Sequence, residues 1–140
     1  MLGKNLFSNG ITELLILFLL NRKDCYVYEL TKAIKDLSGD MLDISQNTIY
    51  TVAYKLETEE KITEYTVRVG AKRTRVYYTL TEKGRDALNT LLPVFSRTVE
   101  GVSAVLALPE GAVFGEVVTV YEEETPRQKI YTANPQPASI

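Results

Sequence analysis

The apolar positions of the chain first gather into a run, Ile11 to Leu20, that is hydrophobic on nearly every side. A membrane span needs about 20 such residues, whereas this run carries Glu13 and stops at Asn21, Arg22, Lys23 and Asp24. It predicts a buried core helix. Asp24 is placed to cap a second helix over Tyr26 to Leu37, with Leu30, Ala33, Ile34 and Leu37 on one side and Glu29, Thr31, Lys32, Lys35 and Asp36 elsewhere. Ser38 and Gly39 end that helix, because glycine takes the left-handed position beyond a helix at little steric cost.

A third helix begins at Ser45, whose hydroxyl can accept from the first free amides. Ile49, Val52, Ala53 and Leu56 recur at i, i+3, i+4 and i+7 and form one apolar stripe. At ~100° per residue, the opposite face carries Asn47, Thr51, Tyr54 and Thr58, flanked by Gln46, Tyr50 and Lys55, with Glu57 toward its edge. That face is rich in hydrogen-bonding groups. It suits a DNA groove, the competing reading being an ordinary solvated helix face, which Glu and Lys usually dominate.

From Ile62 the period changes to that of strands. Ile62 to Val69 and Thr74 to Leu80 are dense in Thr, Val and Tyr, with Gly70, Ala71, Lys72 and Arg73 between them, which predicts a β-hairpin. Arg68, Lys72, Arg73 and Arg75 cluster in or beside its tip, with no acid between Tyr65 and Leu80. Such a tip can lie on a phosphate backbone, or it can be a solvated turn that protects a sheet edge.

After Thr81, a good N-cap, Leu88, Leu92, Phe95, Val99, Val102 and Leu106 step by 4, 3, 4, 3 and 4. That spacing suits two interlocking helices and predicts a dimerisation helix, the alternative being a helix packed on its own domain. Pro93 removes one backbone donor, so a kink or a break between Leu91 and Pro93 is expected. Beyond Leu108, Pro109, Gly111 and Gly115 end the helical pattern. Glu116 to Glu122 and Arg127 to Thr132 predict a weak hairpin turned by Glu123 to Pro126, and the final residues have the composition of a flexible tail.

Composition narrows the function. The chain has 140 residues, a formal charge of −2, one cysteine and no histidine, so a basic footprint for nucleic acid must be local. A lone Cys25 and the lack of a secretory leader point to a reducing, cytoplasmic setting. Cys25 itself is either a redox sensor or an inert buried thiol. Enzyme chemistry has little to build on: there is no Cys pair, no Gly-rich phosphate loop and no acid pair in a recognisable context. No metal site and no cofactor are expected.

The order helix, helix, helix, hairpin is that of a winged helix-turn-helix, mainly α with a small β-hairpin wing and a C-terminal dimerisation helix. Four blocks carry a resemblance to a known family. They are Tyr26-Val27-Tyr28-Glu29-Leu30, Asn47-Thr48-Ile49-Tyr50, Lys55-Leu56-Glu57, and Arg75-Val76-Tyr77-Tyr78-Thr79-Leu80-Thr81-Glu82-Lys83-Gly84. In this order the chain resembles the PadR-like transcriptional regulators over roughly residues 10 to 100. The resemblance implies a dimeric bacterial or archaeal repressor that inserts its third helix into the major groove of a near-palindromic operator. It also implies likeness to the short subfamily that includes multidrug-sensing repressors. Two departures stand out. The family's glycine after the third helix is replaced by Glu60-Lys61, where either a left-handed Lys61 costs on the order of 1 kcal/mol or the turn differs. The Gly-Arg pair before the second wing strand is replaced by Lys72-Arg73-Thr74-Arg75, which keeps the charge without the glycine.

Residues 1–80 are thus expected to form the DNA-binding domain, 81–108 the dimerisation helix and 109–140 an extension outside the resemblance. Ser45, Gln46, Asn47, Thr48, Tyr50, Thr51, Tyr54, Lys55, Arg68, Lys72, Arg73 and Arg75 are the expected DNA contacts. Asn47, Thr51 and Tyr54 would face base edges, while Tyr50, Lys55, Lys72, Arg73 and Arg75 hold phosphates. In the multidrug sensors that the chain resembles, aromatic drugs stack on paired tryptophans in a pore at the dimer centre. Aligning Ser96-Arg97-Thr98 puts Phe95 at that position in a chain without tryptophan. Phe95, with Leu6 and Phe7, would then line a site for a planar aromatic effector, or Phe95 would simply fill the dimer core. The competing function is a winged-helix module that binds another protein, for which the modest net charge is the argument.

Overall fold

The computed structural model describes residues 8–121 and 126–131. The helices are α1 (Ser8–Leu20), α2 (Val27–Leu37), α3 (Gln46–Thr58) and α4 (Glu82–Leu106). The strands β1 (Ile62–Arg68) and β2 (Thr74–Leu80) form one antiparallel hairpin, and β3 (Glu116–Tyr121) and β4 (Pro126–Tyr131) form another. Contacts divide the chain into two compact units, Met1–Thr98 and Val99–Ile140. No helix among the described residues is long and apolar enough to cross a membrane.

The core of the first unit joins Leu14, Ile16, Leu17 and Leu20 of α1 with Leu30 and Ile34 of α2 and the whole stripe Ile49, Val52, Ala53 and Leu56 of α3. Ile62 and Tyr78 close it from the hairpin and Leu88 from α4. Burial at ~25 cal/mol per Å² of apolar surface is what fixes the three helices against one another. Leu37, expected on the buried side of α2, is 76% exposed. The helix ends there: Gly39 takes φ 62°, Gly39 N–H donates to Asp36 O, and Asp40 N–H donates to Lys35 O, so the chain turns away before Leu37 can reach the core.

One further expectation about helix ends is corrected, and one open alternative is decided. Asp24 does not cap α2. Tyr26 holds the N-cap position with extended backbone, its amide donates to the Glu29 carboxylate at 3.4 Å, and Asp24 is taken by a partner on the hairpin. At the end of α3 the left-handed residue is Glu60 (φ 62°), not Lys61. Glu60 N–H donates to Glu57 O and Lys61 N–H to Leu56 O, a Schellman turn made without glycine.

Thr81 caps α4, its Oγ1 accepting from Gly84 N–H at 3.0 Å while donating to Glu60 O at 2.7 Å. A Cβ on Gly84 would lie 2.0 Å from Lys61 O, so glycine is required where α4 crosses the start of β1. The helix then runs through Pro93 without a break. In the second unit, β3 and β4 pair from Glu116 opposite Tyr131 to Tyr121 opposite Pro126. The turn and tail expected at Glu123 to Pro126 and after Thr132 fall largely outside the described residues.

Candidate nucleic-acid interface

Ser45 starts α3 by accepting from Thr48 N–H at 3.2 Å, and the Ser45 and Thr48 hydroxyls share a 3.0 Å hydrogen bond. With four side chains anchored below, the helix turns Gln46, Asn47, Tyr50, Thr51, Tyr54, Lys55 and Thr58 outward. Tyr50 is 52% and Tyr54 71% exposed, unusual for aromatic side chains with no apolar cover. The Thr51 hydroxyl donates to Asn47 O at 2.9 Å, which leaves its lone pairs free to accept.

The cations expected at the interface divide into two groups. Lys55 is ion-paired with Glu13 of α1 at 2.8 Å, which ties its side chain to α1. Arg68 donates to the carbonyls of Gly70 (3.3 Å) and Ala71 (2.7 Å) and thereby shapes the wing tip. Arg75 lies 4.1 Å over the Tyr26 ring, a cation–π contact at the back of the hairpin. Lys72 and Arg73 make no side-chain hydrogen bond or ion pair among the described residues and sit at the exposed tip, where Val69 N–H donates to Arg73 O. At the α3–β1 junction, burial and the neighbouring Glu64 carboxylate push Glu57 upward. That acid pair between α3 and β1 opposes an anionic ligand.

The hairpin is better tied than its sequence indicated. Cys25 and Tyr78 exchange backbone hydrogen bonds at 3.2 and 2.8 Å, so the segment before α2 is bridged to β2 in antiparallel sense at this one pair. Tyr26 meets Tyr77 edge-on at 5.4 Å, Tyr77 stacks with Tyr65 at 5.7 Å, and the Tyr65 hydroxyl donates to Asp24 Oδ2 at 2.7 Å. That hydrogen bond pushes Tyr65 up to about 12. Burial pushes the Cys25 thiol up to about 11, which favours the inert reading of this cysteine. Sequence reasoning missed this aromatic row. Neither the hairpin register, which sets Tyr65 opposite Tyr77, nor the pairing of Cys25 with Tyr78 was fixed by the strand bounds read from the sequence.

Of the expected seam, Leu88 is 1% exposed and belongs to the core of the first unit, so it is not available for a dimer contact. Leu92 is half-buried against that core. Phe95 is 38% exposed, and Val99, Val102 and Leu106 are 46%, 53% and 77% exposed. Leu6 and Phe7 lie outside the described residues.

Comparison with known proteins bears on this arrangement. The family described as "Transcriptional regulator PadR-like family" matches residues 16–90. An uncharacterized protein X from Lysinibacillus sphaericus is 31% identical over 91 residues, covering 65% of this chain and 84% of that one. Among solved structures, a transcriptional regulator from Clostridium thermocellum is similar at TM-score 0.63 and 25% identity, over 68% of this chain and 92% of its own. Bacillus subtilis PadR in complex with operator DNA is similar at TM-score 0.55 and 30% identity, over 59% of this chain and 45% of its own.

Proposed function

Because the chain belongs to the PadR-like family of transcriptional regulators, we propose that it is a dimeric repressor that reads a near-palindromic operator with α3 and steadies itself with the wing. The observation that carries this reading is the outward face of α3: amide, hydroxyl and phenol groups on a helix locked from below, beside an acid-free wing tip. Asn47, Thr51 and Tyr54 are assigned to base edges. Lys72 and Arg73 are assigned to phosphates, with Tyr50 beside them. Ser45 and Thr48 fix the start of the reading helix, and Gln46 lies at its leading end. Arg68 and Arg75 act through the shape of the wing, and Lys55 through α1.

Dimerisation rests on the exposed apolar side chains Phe95, Val99, Val102 and Leu106, a spacing suited to a symmetric helical seam. Two recognition helices of such a dimer would lie about one DNA turn apart, ~34 Å. A planar aromatic effector between paired Phe95 rings would alter that spacing and release the operator.

One experiment covers these assignments: sedimentation of the protein with a promoter fragment at rising salt, with and without planar aromatic dyes. The expected result is two protomers per site, affinity falling steeply with salt, and dye-driven release that Phe95→Ala abolishes. A monomer, or binding absent at every salt, removes the repressor reading. Equal dye response in wild type and Phe95→Ala removes the effector.

A further inference from the structure

Ile62 and Tyr78 are the hairpin's buried positions, and every residue from Arg68 to Thr74 is exposed. A two-stranded hairpin that far from the core has little to hold its direction. Its odd-numbered face supplies the hold. Cys25 pairs opposite Tyr78, so Tyr26 falls opposite Tyr77, which itself falls opposite Tyr65. Three tyrosines thus form a row across β1, β2 and the segment bridged to β2, at 5.4 and 5.7 Å between ring centres. Both margins of the row are closed. The Tyr65 hydroxyl reaches to Asp24 Oδ2 at 2.7 Å, and the Arg75 guanidinium lies 4.1 Å over Tyr26. Each tie ends on residues 24–26, the segment that leads directly into α2.

We propose that the row Tyr65, Tyr77 and Tyr26, closed by Asp24 and Arg75, is a positioning strut that sets the angle of the wing to the three-helix unit. It thereby presents Lys72 and Arg73 to the same stretch of phosphate backbone that α3 straddles, an assignment that rests on the DNA-binding reading above. The physical gain is preorganisation: a wing held in one direction before binding loses less freedom on binding. It also explains why Arg75, a cation on the hairpin, is turned to an aromatic face at its back rather than outward.

Tyr65→Phe keeps the ring and its stacking and removes only the tie to Asp24, and Asp24→Ala removes the same tie from its other end. Amide hydrogen exchange in the free protein and salt-dependent DNA titration are measured on both variants and on their combination. Exchange across residues 66–74, including the Val69 amide that donates to Arg73 O, is expected to quicken several-fold in each variant. The double variant should be no faster, and the α3 amides should be unchanged. DNA affinity is expected to fall about 3- to 10-fold with the salt slope flattened by roughly one phosphate. Wing exchange at the wild-type rate in both variants overturns the strut, whether or not DNA binds. Faster exchange with an unaltered salt slope overturns its role in positioning. Wild-type protein that binds no DNA at any salt strikes the DNA-binding reading instead, and the exchange rates alone then decide the strut.

Discussion

Four side chains of α3, Ile49, Val52, Ala53 and Leu56, are at most 3% exposed, whereas the outer wing from Arg68 to Thr74 buries none of its seven residues. Both elements are assigned to one ligand, yet they are held by different physics. The helix is placed by apolar burial, which is non-directional and large, so its outer face is free to vary without moving the backbone. The wing is placed by a hydrogen bond, ring contacts and one cation–π pair, which are directional and individually small. Loss of an atom at the strut therefore changes geometry, while loss of an atom on the outer face of α3 changes only chemistry.

The largest effect should come from breaking the hold on α3. Leu56→Ala is expected to cost about 2–5 kcal/mol of stability, because Leu56 is fully buried and the cavity collapses only in part. Denaturant unfolding monitored by circular dichroism checks this. A loss below about 1 kcal/mol would mean that burial does not set the helix.

A smaller and opposite effect should follow from Glu60→Gly. Glu60 pays a left-handed penalty at φ 62°, so glycine is expected to add about 1 kcal/mol. The Glu60 carboxylate is paired with Lys83 only at 3.9 Å, with both side chains well exposed, and that contact offsets little. An unchanged or lowered unfolding midpoint would show that the turn carries no such strain.

How much of this was legible depends on the distance over which each feature is decided. The α3 stripe, the Ser45 and Thr81 caps and the Gly39 turn are settled within a few residues, and local sequence pattern reads them directly. Asp24 looked like a cap because caps are local, but Tyr65, 41 positions away, takes its carboxylate. Lys55 looked free for phosphate until Glu13, 42 positions away, paired with it. Leu88 fits a seam and a core equally well by spacing, and only its place among the buried side chains of the folded core decides between them. The left-handed turn after α3 lacked its usual glycine, so the sequence carried no sign of which residue would adopt it. The free cations of the wing, Lys72 and Arg73, remain where charge clustering had put them, at the exposed tip.

The central claim, that α3 reads sequence while the wing supplies sequence-independent hold, is tested most directly by anisotropy titrations of wild type, Asn47→Ala and Arg73→Ala. Each is measured on operator and random DNA over a range of salt. Asn47→Ala should weaken operator binding by about 1–3 kcal/mol, roughly 5- to 150-fold, and leave random binding and the salt slope unchanged. Arg73→Ala should weaken both DNAs alike and lower the slope by about one. If the two variants give the same pattern on both DNAs, or if Arg73→Ala leaves the slope untouched, the division of labour between helix and wing is wrong.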